Sequence, residues 1–252
     1  MEKVIAYGSF ALTKEQRRYC TTRKELLAVV RFTRQFRHYL LGKPFTVRTE
    51  EDWRRFRDRL NMPEVVALGE VGLERNEPPN QWYTQMLNLE KALDCLGPNH
   101  VLVLHCRSVG TESDEAWLTI LMILKAHRSV GREHLIHCHC FTGSRSLAER
   151  WIAEYPSTYF GFTSVVSKYK EPGDHDRLDW IRHVDPGRIL LETDAPYFPV
   201  PGAALRRSTP AALGYTAAEV AKIRSEPWRD LLQRAATNTE RLYVRKMPPE
   251  LA

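Results

Sequence analysis

Five side chains that could take part in metal chemistry follow short apolar segments of the sequence. They are Glu70, His105, His137, His139 and Asp194. A buried ionisable group is costly unless it is paired or metal-bound. Each residue alone also has a plain structural interpretation, as a turn residue or a hydrogen-bonded core histidine. Taken together, carboxylates and imidazoles are typical ligands of Mg²⁺, Mn²⁺ or Zn²⁺ in hydrolytic centres, so the set favours a divalent-metal site.

The segment IHCHCFTGS, residues 136–144, places two histidines and two cysteines within four positions. A zinc knuckle needs C-x-x-C spacing and a second ligand pair, and this segment provides neither. Alternation along a strand predicts that His137 and His139 share one face of the sheet. The same alternation predicts that Cys138 and Cys140 pack on the other face, beneath helices.

From about residue 63, the predicted strands and helices that must position these residues alternate along the chain. Apolar runs of strand length alternate with amphipathic stretches of helical length, which indicates βαβ units and a parallel sheet. Active residues of such folds gather at the carboxyl ends of the strands. The predicted strands are VVALGE, VLVLHC, HLIHCHCF, YFGF and RILLETD, and the predicted helices cover 80–96, 112–129, 144–155 and 174–184, one beginning at Thr216 and one following Pro227.

Several motifs resemble those of one enzyme family. VVALGEVGLE (65–74), VLVLHCR (101–107), HCFTGS (139–144), RILLETDAPYF (188–198) and NTERLY (238–243) are similar to segments of TatD-type metal-dependent deoxyribonucleases. The resemblance covers about residues 63–243. It implies a TIM-like (β/α)8 barrel, two divalent metals and cleavage of DNA phosphodiester bonds.

The resemblance also implies roles for individual residues. Glu70, His105 and His139 would hold one metal, and Glu70 would bridge toward a second site that retains Asp194. Asp194 and Glu70 are therefore the expected catalytic residues, and Asp194 would act as a base or as the second-site ligand. Three further residues are expected to support the ligands from behind, namely His137, Arg107 and Glu74, where Glu74 replaces the family's aspartate.

The family's first-strand motif His-x-His does not occur before Glu70. The five apolar runs correspond to the family's fourth to eighth strands. We therefore expect a partial barrel of about five strands, truncated at its N-terminal side and impaired in activity. Unclosed sheet edges expose strands, so we expect oligomerisation through them.

Residues 4–49 resemble a different family, the RNase H-like domain attached to reverse transcriptases of gypsy-type retroelements. Two of that family's metal carboxylates would correspond to Glu25 and Glu50, and Glu25 also fits a capping box. Residues 1–50 carry 11 Lys+Arg against four Asp+Glu, whereas the remaining residues carry 26 against 27. The basic residues of 14–48 could contact RNA or DNA, or could form a solvated helix face. The alternative function is thus an inactive retroelement-derived fusion that binds nucleic acid.

Composition argues against a membrane-spanning or secreted protein. No apolar run approaches the roughly 20 residues that span a bilayer, and the first residues lack a secretion signal. Five scattered cysteines favour reduced thiols, and hence the cytoplasm or nucleus. The predicted organisation is an RNase H-like fragment (1–50), a charged helical junction (51–62), the barrel (63–245) and a tail (246–252).

Overall fold

A computed structural model of the protein describes residues 49–62, 65–108, 113–170, 172–201 and 207–243. Several predictions lie outside these residues: the basic segment 14–48, Glu25 and the tail 246–252. The chain divides into two compact units, residues 1–53 and 54–252.

Of the first unit, only residues 49–53 are described. They include Glu50, the first residue of helix α1 (Glu50–Leu60), which occupies the predicted charged junction. A reciprocal cap explains why α1 begins there: Thr49 N and Oγ1 donate to Asp52, and Asp52 N donates to the Thr49 hydroxyl.

The five strands in the described part of the chain form one sheet with the order β1-β2-β3-β4-β5, and every neighbouring pair is parallel. This confirms the predicted parallel α/β architecture. The strands are β1 (Ala67–Glu74), β2 (Val101–Arg107), β3 (Ile136–Cys138), β4 (Thr158–Phe162) and β5 (Ile189–Leu191).

Helices connect the successive strands, as parallel pairing requires. The helices after α1 are α2 (Trp82–Leu93), α3 (Ser113–Ala126), α4 (Arg145–Glu154), α5 (His175–His183), α6 (Leu213–Arg224) and α7 (Trp228–Tyr243). Short 3₁₀ turns lie at Pro79–Gln81, Ser164–Lys168, Pro172–Asp174, Pro186–Arg188 and Pro210–Ala212. In the residues covered here, no helix is long and apolar enough to cross a membrane.

The helix-covered face of the sheet holds the larger aromatic core. Trp117 of α3 and Trp151 of α4 are fully buried, with ring centroids 5.8 Å apart. Phe160 of β4 packs edge-on against Trp180 of α5, with centroids 5.0 Å apart. Because strand side chains alternate between faces, the neighbours of Phe160 point away from these helices.

The opposite face carries a smaller apolar cluster, formed by Val101, Leu190 and Leu242. Tyr159 of β4 and Tyr243, the last residue of α7, pack against it. The end of α7 is therefore anchored on the sheet face that also carries His137.

Helix α6 begins earlier than predicted. It begins at Leu213, after the turn Pro210–Ala212, so the expected start at Thr216 is wrong. Thr216 lies inside the helix, is 1% exposed, and donates its hydroxyl to the backbone oxygen of Glu192 at 3.1 Å. Tertiary contact with the strand end has replaced the capping role that local sequence suggested.

Candidate metal centre

Three of the predicted ligands meet beside β1, β2 and β3. His105 lies near the carboxyl end of β2 and His139 follows β3, whereas Glu70 is the fourth residue of β1, which continues to Glu74 beyond the predicted end of its apolar run. One atom each of Glu70, His105 and His139 lies within 4.8 Å of the other two. Glu70 Oε2 is 3.6 Å from His105 Nδ1, and Glu70 Oε1 is 3.7 Å from His139 Nε2. The Glu70 carboxylate therefore lies between the two imidazoles, whose rings are stacked 6.2 Å apart.

Close approach of β1 and β2 brings Glu70 and His105 together. Gly72 pairs with His105 across the two strands, and the register shifts between Leu68 and Val71. A Cβ at Gly72 would lie 1.7 Å from the backbone oxygen of His105, so only glycine permits this pairing. Glu70 lies within this irregularity, between Leu68 and Val71.

Asp194 lies beside the cluster of three. Its Oδ1 is 3.7 Å from His139 Nε2, the same nitrogen that faces Glu70. The backbone at Asp194 is left-handed, with φ of 45°, and its carbonyl accepts from Tyr197 N at 2.7 Å. This tight turn directs the carboxylate back over the end of the sheet.

A second glutamate contacts each imidazole on its other nitrogen. Glu192 Oε2 lies 2.8 Å from His139 Nδ1, and Glu74 Oε2 lies 3.4 Å from His105 Nε2. When a cation is bound, such partners fix the proton on their own side of the ring and leave the opposite nitrogen to the ion. In both histidines this opposite nitrogen is the one that faces Glu70.

Arg107 completes the surroundings of Glu74. Its NH1 group donates to Glu74 Oε2 at 3.0 Å, and its guanidinium lies 5.6 Å from the ring centroid of Tyr197. The longer glutamate at position 74 is therefore engaged by both Arg107 and His105.

Sequence reasoning missed Glu192. Its side chain is 13% exposed, and its Oε1 is in ion-pair contact with His137 Nε2 while Oε2 accepts from Cys140 N at 3.0 Å. Gly161 makes room for it, because a Cβ there would lie 1.9 Å from Glu192 Oε1. A usable signal was present, since Glu192 directly follows the apolar run of β5, as the other site residues follow theirs.

Charge coupling in the cluster is strong. Burial would lower the pKa of His139, but Asp194 and Glu192 outweigh it and raise that pKa to about 10. Burial likewise opposes ionisation of Glu192, yet His137 and His139 hold its pKa well below the ordinary value. Interaction with His105, and then with His139, lowers the pKa of Glu70 against the effect of burial.

The cysteines of this segment do not share one environment. Cys138 is fully buried on the helix-covered face, as alternation predicts. Strand β3 ends there, and Cys140 has a left-handed backbone with φ of 44°. Its Sγ lies 3.4 Å from Thr163 Oγ1, beside the site, so the prediction that it packs beneath helices is wrong. Alternation no longer applies once the strand has ended.

A cavity of about 260 Å³ opens beside the cluster. Its walls include His105, His139, Asp194, Arg107 and Phe198. Ligand atoms, a carboxylate and a cationic group thus face one accessible space.

The geometry fits a divalent cation. Two ligand atoms that each lie about 2.0–2.2 Å from a tetrahedral ion are about 3.4 Å from each other. The observed separations are 3.6 Å between His105 and Glu70, 3.7 Å between His139 and Glu70, and 3.7 Å between His139 and Asp194. Glu70, His105 and His139 could therefore hold the ion with small side-chain adjustments, and Asp194 lies beside them.

Comparison with known proteins shows what the chain is similar to. The family model "TatD related DNase" matches residues 18–244, which extends upstream of the motifs that begin near residue 63. A human "3'-5' RNA nuclease TATDN2" is 32% identical over 203 residues, covering 77% of this chain and 25% of the human protein. A "3'-5' ssDNA/RNA exonuclease TatD" of Erwinia tasmaniensis is 31% identical over 197 residues, covering 72% of this chain and 67% of the relative.

Among solved structures, YJJV, a TatD homologue from Escherichia coli, matches with a TM-score of 0.60 and 26% identity. The match covers 77% of this chain and 69% of that one. The chain spans only a quarter of the human relative's length and about two thirds of the bacterial one's. The RNase H-like fragment at residues 4–49 stays a prediction. The extent of the family match shows that this chain belongs to the TatD-related DNase family of metal-dependent hydrolases.

Proposed function

We propose that this chain hydrolyses phosphodiester bonds in single-stranded nucleic acid with the help of a divalent cation. The observation that carries the proposal is the cluster of Glu70, His105 and His139, with Asp194 beside it, at the edge of an accessible cavity. Mg²⁺, Mn²⁺ or Zn²⁺ suits two imidazoles and two carboxylates.

A cation bound at these ligands would polarise the scissile phosphate and make a water more acidic. Proton transfer and the orientation of the reacting groups fall to residues of the chain. Asp194 is the proton acceptor for the attacking water, because its carboxylate faces both the cavity and His139. Glu70 holds its two oxygens toward different histidines, and these two contacts orient its carboxylate.

Arg107 is the partner for the phosphate. A guanidinium has five N–H donors in a planar fork that matches phosphate oxygens. The NH1 contact with Glu74 holds one end of this fork in place, and the group lines the same cavity as the metal ligands. Tyr197 is 56% exposed beneath the guanidinium and offers a surface on which a base could stack.

The choice of a single-stranded substrate comes from the relatives. The cavity itself is small, about 260 Å³, just below the roughly 300 Å³ at which small-molecule sites begin. The two relatives, named an RNA nuclease and an ssDNA/RNA exonuclease, support the same class of substrate and leave the choice between DNA and RNA to experiment.

The test is a cleavage assay on end-labelled single-stranded DNA, single-stranded RNA and duplex DNA with Mg²⁺ or Mn²⁺. We expect cleavage of single strands, its loss on chelation, and a loss of at least about 100-fold in Asp194→Asn. Asp185→Asn, a change in an exposed loop carboxylate, serves as the matched control and should retain activity. Cleavage that survives the double change of Asp194→Asn and His105→Ala would exclude this site.

The alternative is a non-catalytic fusion that binds nucleic acid through its basic N-terminal residues. The excess of cationic residues in positions 1–50 favours it. Deletion of those residues separates the two functions. Salt-dependent binding that disappears with the segment, in a chain that cleaves nothing, would favour the alternative, whereas unchanged binding would refute it.

A further inference from the structure

Tyr243 contacts His137, which lies next to the candidate metal ligands. Tyr243 is the last residue of α7 and lies 106 positions after His137 in the chain. Its hydroxyl oxygen is 2.6 Å from His137 Nδ1. The two rings meet edge to face, with centroids 6.1 Å apart. Tyr243 also packs against the apolar cluster of Val101, Leu190 and Leu242, which holds the ring in place.

The other nitrogen of His137 faces the carboxylate that supports a metal ligand. His137 Nε2 is in close contact with Glu192 Oε1, and Glu192 Oε2 lies 2.8 Å from His139 Nδ1. His137 and His139 are both only 7% exposed, so water cannot replace a lost partner easily. A continuous series of contacts therefore runs from Tyr243 through His137 and Glu192 to His139.

We propose that His137 and Tyr243 are positioning residues for the ligand nitrogen of His139, acting through Glu192. This inference rests on the metal site of the proposed function but not on the identity of the substrate. Neither residue lies among the atoms that could bind the ion, so their effect must be indirect.

The way in which Tyr243, His137 and Glu192 donate and accept hydrogen bonds explains this indirect effect. A tyrosine hydroxyl that donates to His137 Nδ1 leaves the proton of a neutral imidazole on Nε2, where it points at Glu192. With His137 Nε2–H held on Oε1, the other oxygen is directed at His139 Nδ1–H and Cys140 N–H. Without the hydroxyl, His137 can take the other tautomer, and its lone pair then faces the carboxylate. Glu192 would turn away, and His139 would lose its orientation.

If Tyr243 had only a structural role, its loss would lower stability without changing metal affinity. A buried hydroxyl commonly needs a partner, and its loss would lower stability wherever it lay. Only a positioning role also weakens metal binding. The comparison must therefore measure metal affinity and thermal stability in the same variants.

The experiment uses the full chain, with Co²⁺ as a spectroscopic probe and Zn²⁺ in calorimetric titrations. Tyr243→Phe removes one hydroxyl, and Tyr155→Phe, at a tyrosine that is 3% exposed and packs on Trp151, is the matched control. We expect Tyr243→Phe to weaken metal binding about 3- to 10-fold and to alter the visible Co²⁺ spectrum. Tyr155→Phe should change thermal stability only.

Two changes at His137 add a rescue test. Glutamine places an amide donor near the position of Nε2 and can keep the contact with Glu192, whereas asparagine places it near Nδ1 and cannot. His137→Gln should therefore retain more metal affinity than His137→Asn. Equal affinities for these two variants, or an unchanged Co²⁺ spectrum in Tyr243→Phe, would overturn the inference even if the chain cleaves nucleic acid. A wild-type chain that binds Co²⁺ but cleaves nothing would refute only the proposed function, and failure to bind the metal would refute both.

Discussion

Replacement of Glu192 by glutamine removes a charge at the centre of the site while keeping the shape of the side chain. The native carboxylate serves three groups: Oε2 accepts from His139 and from Cys140 N, and Oε1 contacts His137. Glutamine has a single oxygen. Whichever way its amide is turned, an N–H group faces a nitrogen that previously met a carboxylate oxygen.

The expected magnitude follows from the position of Glu192 behind a ligand. Loss of a carboxylate that orients a metal-binding histidine commonly weakens metal affinity about 10- to 100-fold, or about 1.4 to 2.8 kcal/mol. The upper part of this range is expected, because the carboxylate of Glu192 is well buried at 13% exposure and water cannot readily substitute for it.

The assay is calorimetric titration with Zn²⁺ or Mn²⁺, combined with thermal unfolding of the metal-free chain. Glu226→Gln is the matched control, because Glu226 also bridges two partners, Arg224 and Arg234, away from the ligand residues. Both variants should lose stability, but only Glu192→Gln should lose metal affinity. Equal metal affinity in the two variants would refute the reasoning that Glu192 orients His139.

Three other predictions follow from the same geometry. Because neighbouring carboxylates raise the pKa of His139 to about 10, metal binding must displace its proton. Affinity should therefore rise with pH up to about 10, with about one proton released near pH 7, which calorimetry in two buffers counts. Gly161→Ala should weaken metal binding about as much as Glu192→Gln, since the new Cβ would lie 1.9 Å from that carboxylate, whereas Gly214→Ala, with open space around it, should bind normally. Thr216→Val should cost about 1–3 kcal/mol in denaturant unfolding, because it leaves the buried oxygen of residue 192 without its donor; no loss would contradict the contact.

The alternation of apolar runs with helical stretches was enough to predict the parallel sheet and the site edge. Strand ends of a parallel sheet lie together, so Glu70, His105 and His139 could be assigned to one place without coordinates. Helix boundaries that depend on local signals were also recovered closely, as α7 after Pro227 shows. The start of α6 was not predicted correctly, because the buried hydrogen bond from Thr216 to the backbone oxygen of Glu192 overrides the tendency of Thr216 to cap a helix.

The supporting groups were harder to predict. Glu192 stands two residues before Asp194, and nothing in that spacing says which carboxylate turns toward a histidine and which toward the cavity. The answer depends on Gly161 of a neighbouring strand, which leaves the space that Glu192 fills. Likewise, Tyr243 belongs to a helix whose docking brings its hydroxyl to His137.

Sequence alone determined which carboxylates and imidazoles follow the apolar runs and hence the part of the sheet where they collect, because strand periodicity and the ends of apolar runs are local properties. Tertiary structure decided which nitrogen of each histidine faces Glu70, which glutamate lies behind it and how the last helix reaches the site. These arrangements depend on side chains that are distant in the chain and come within hydrogen-bonding range only when strands and helices pack.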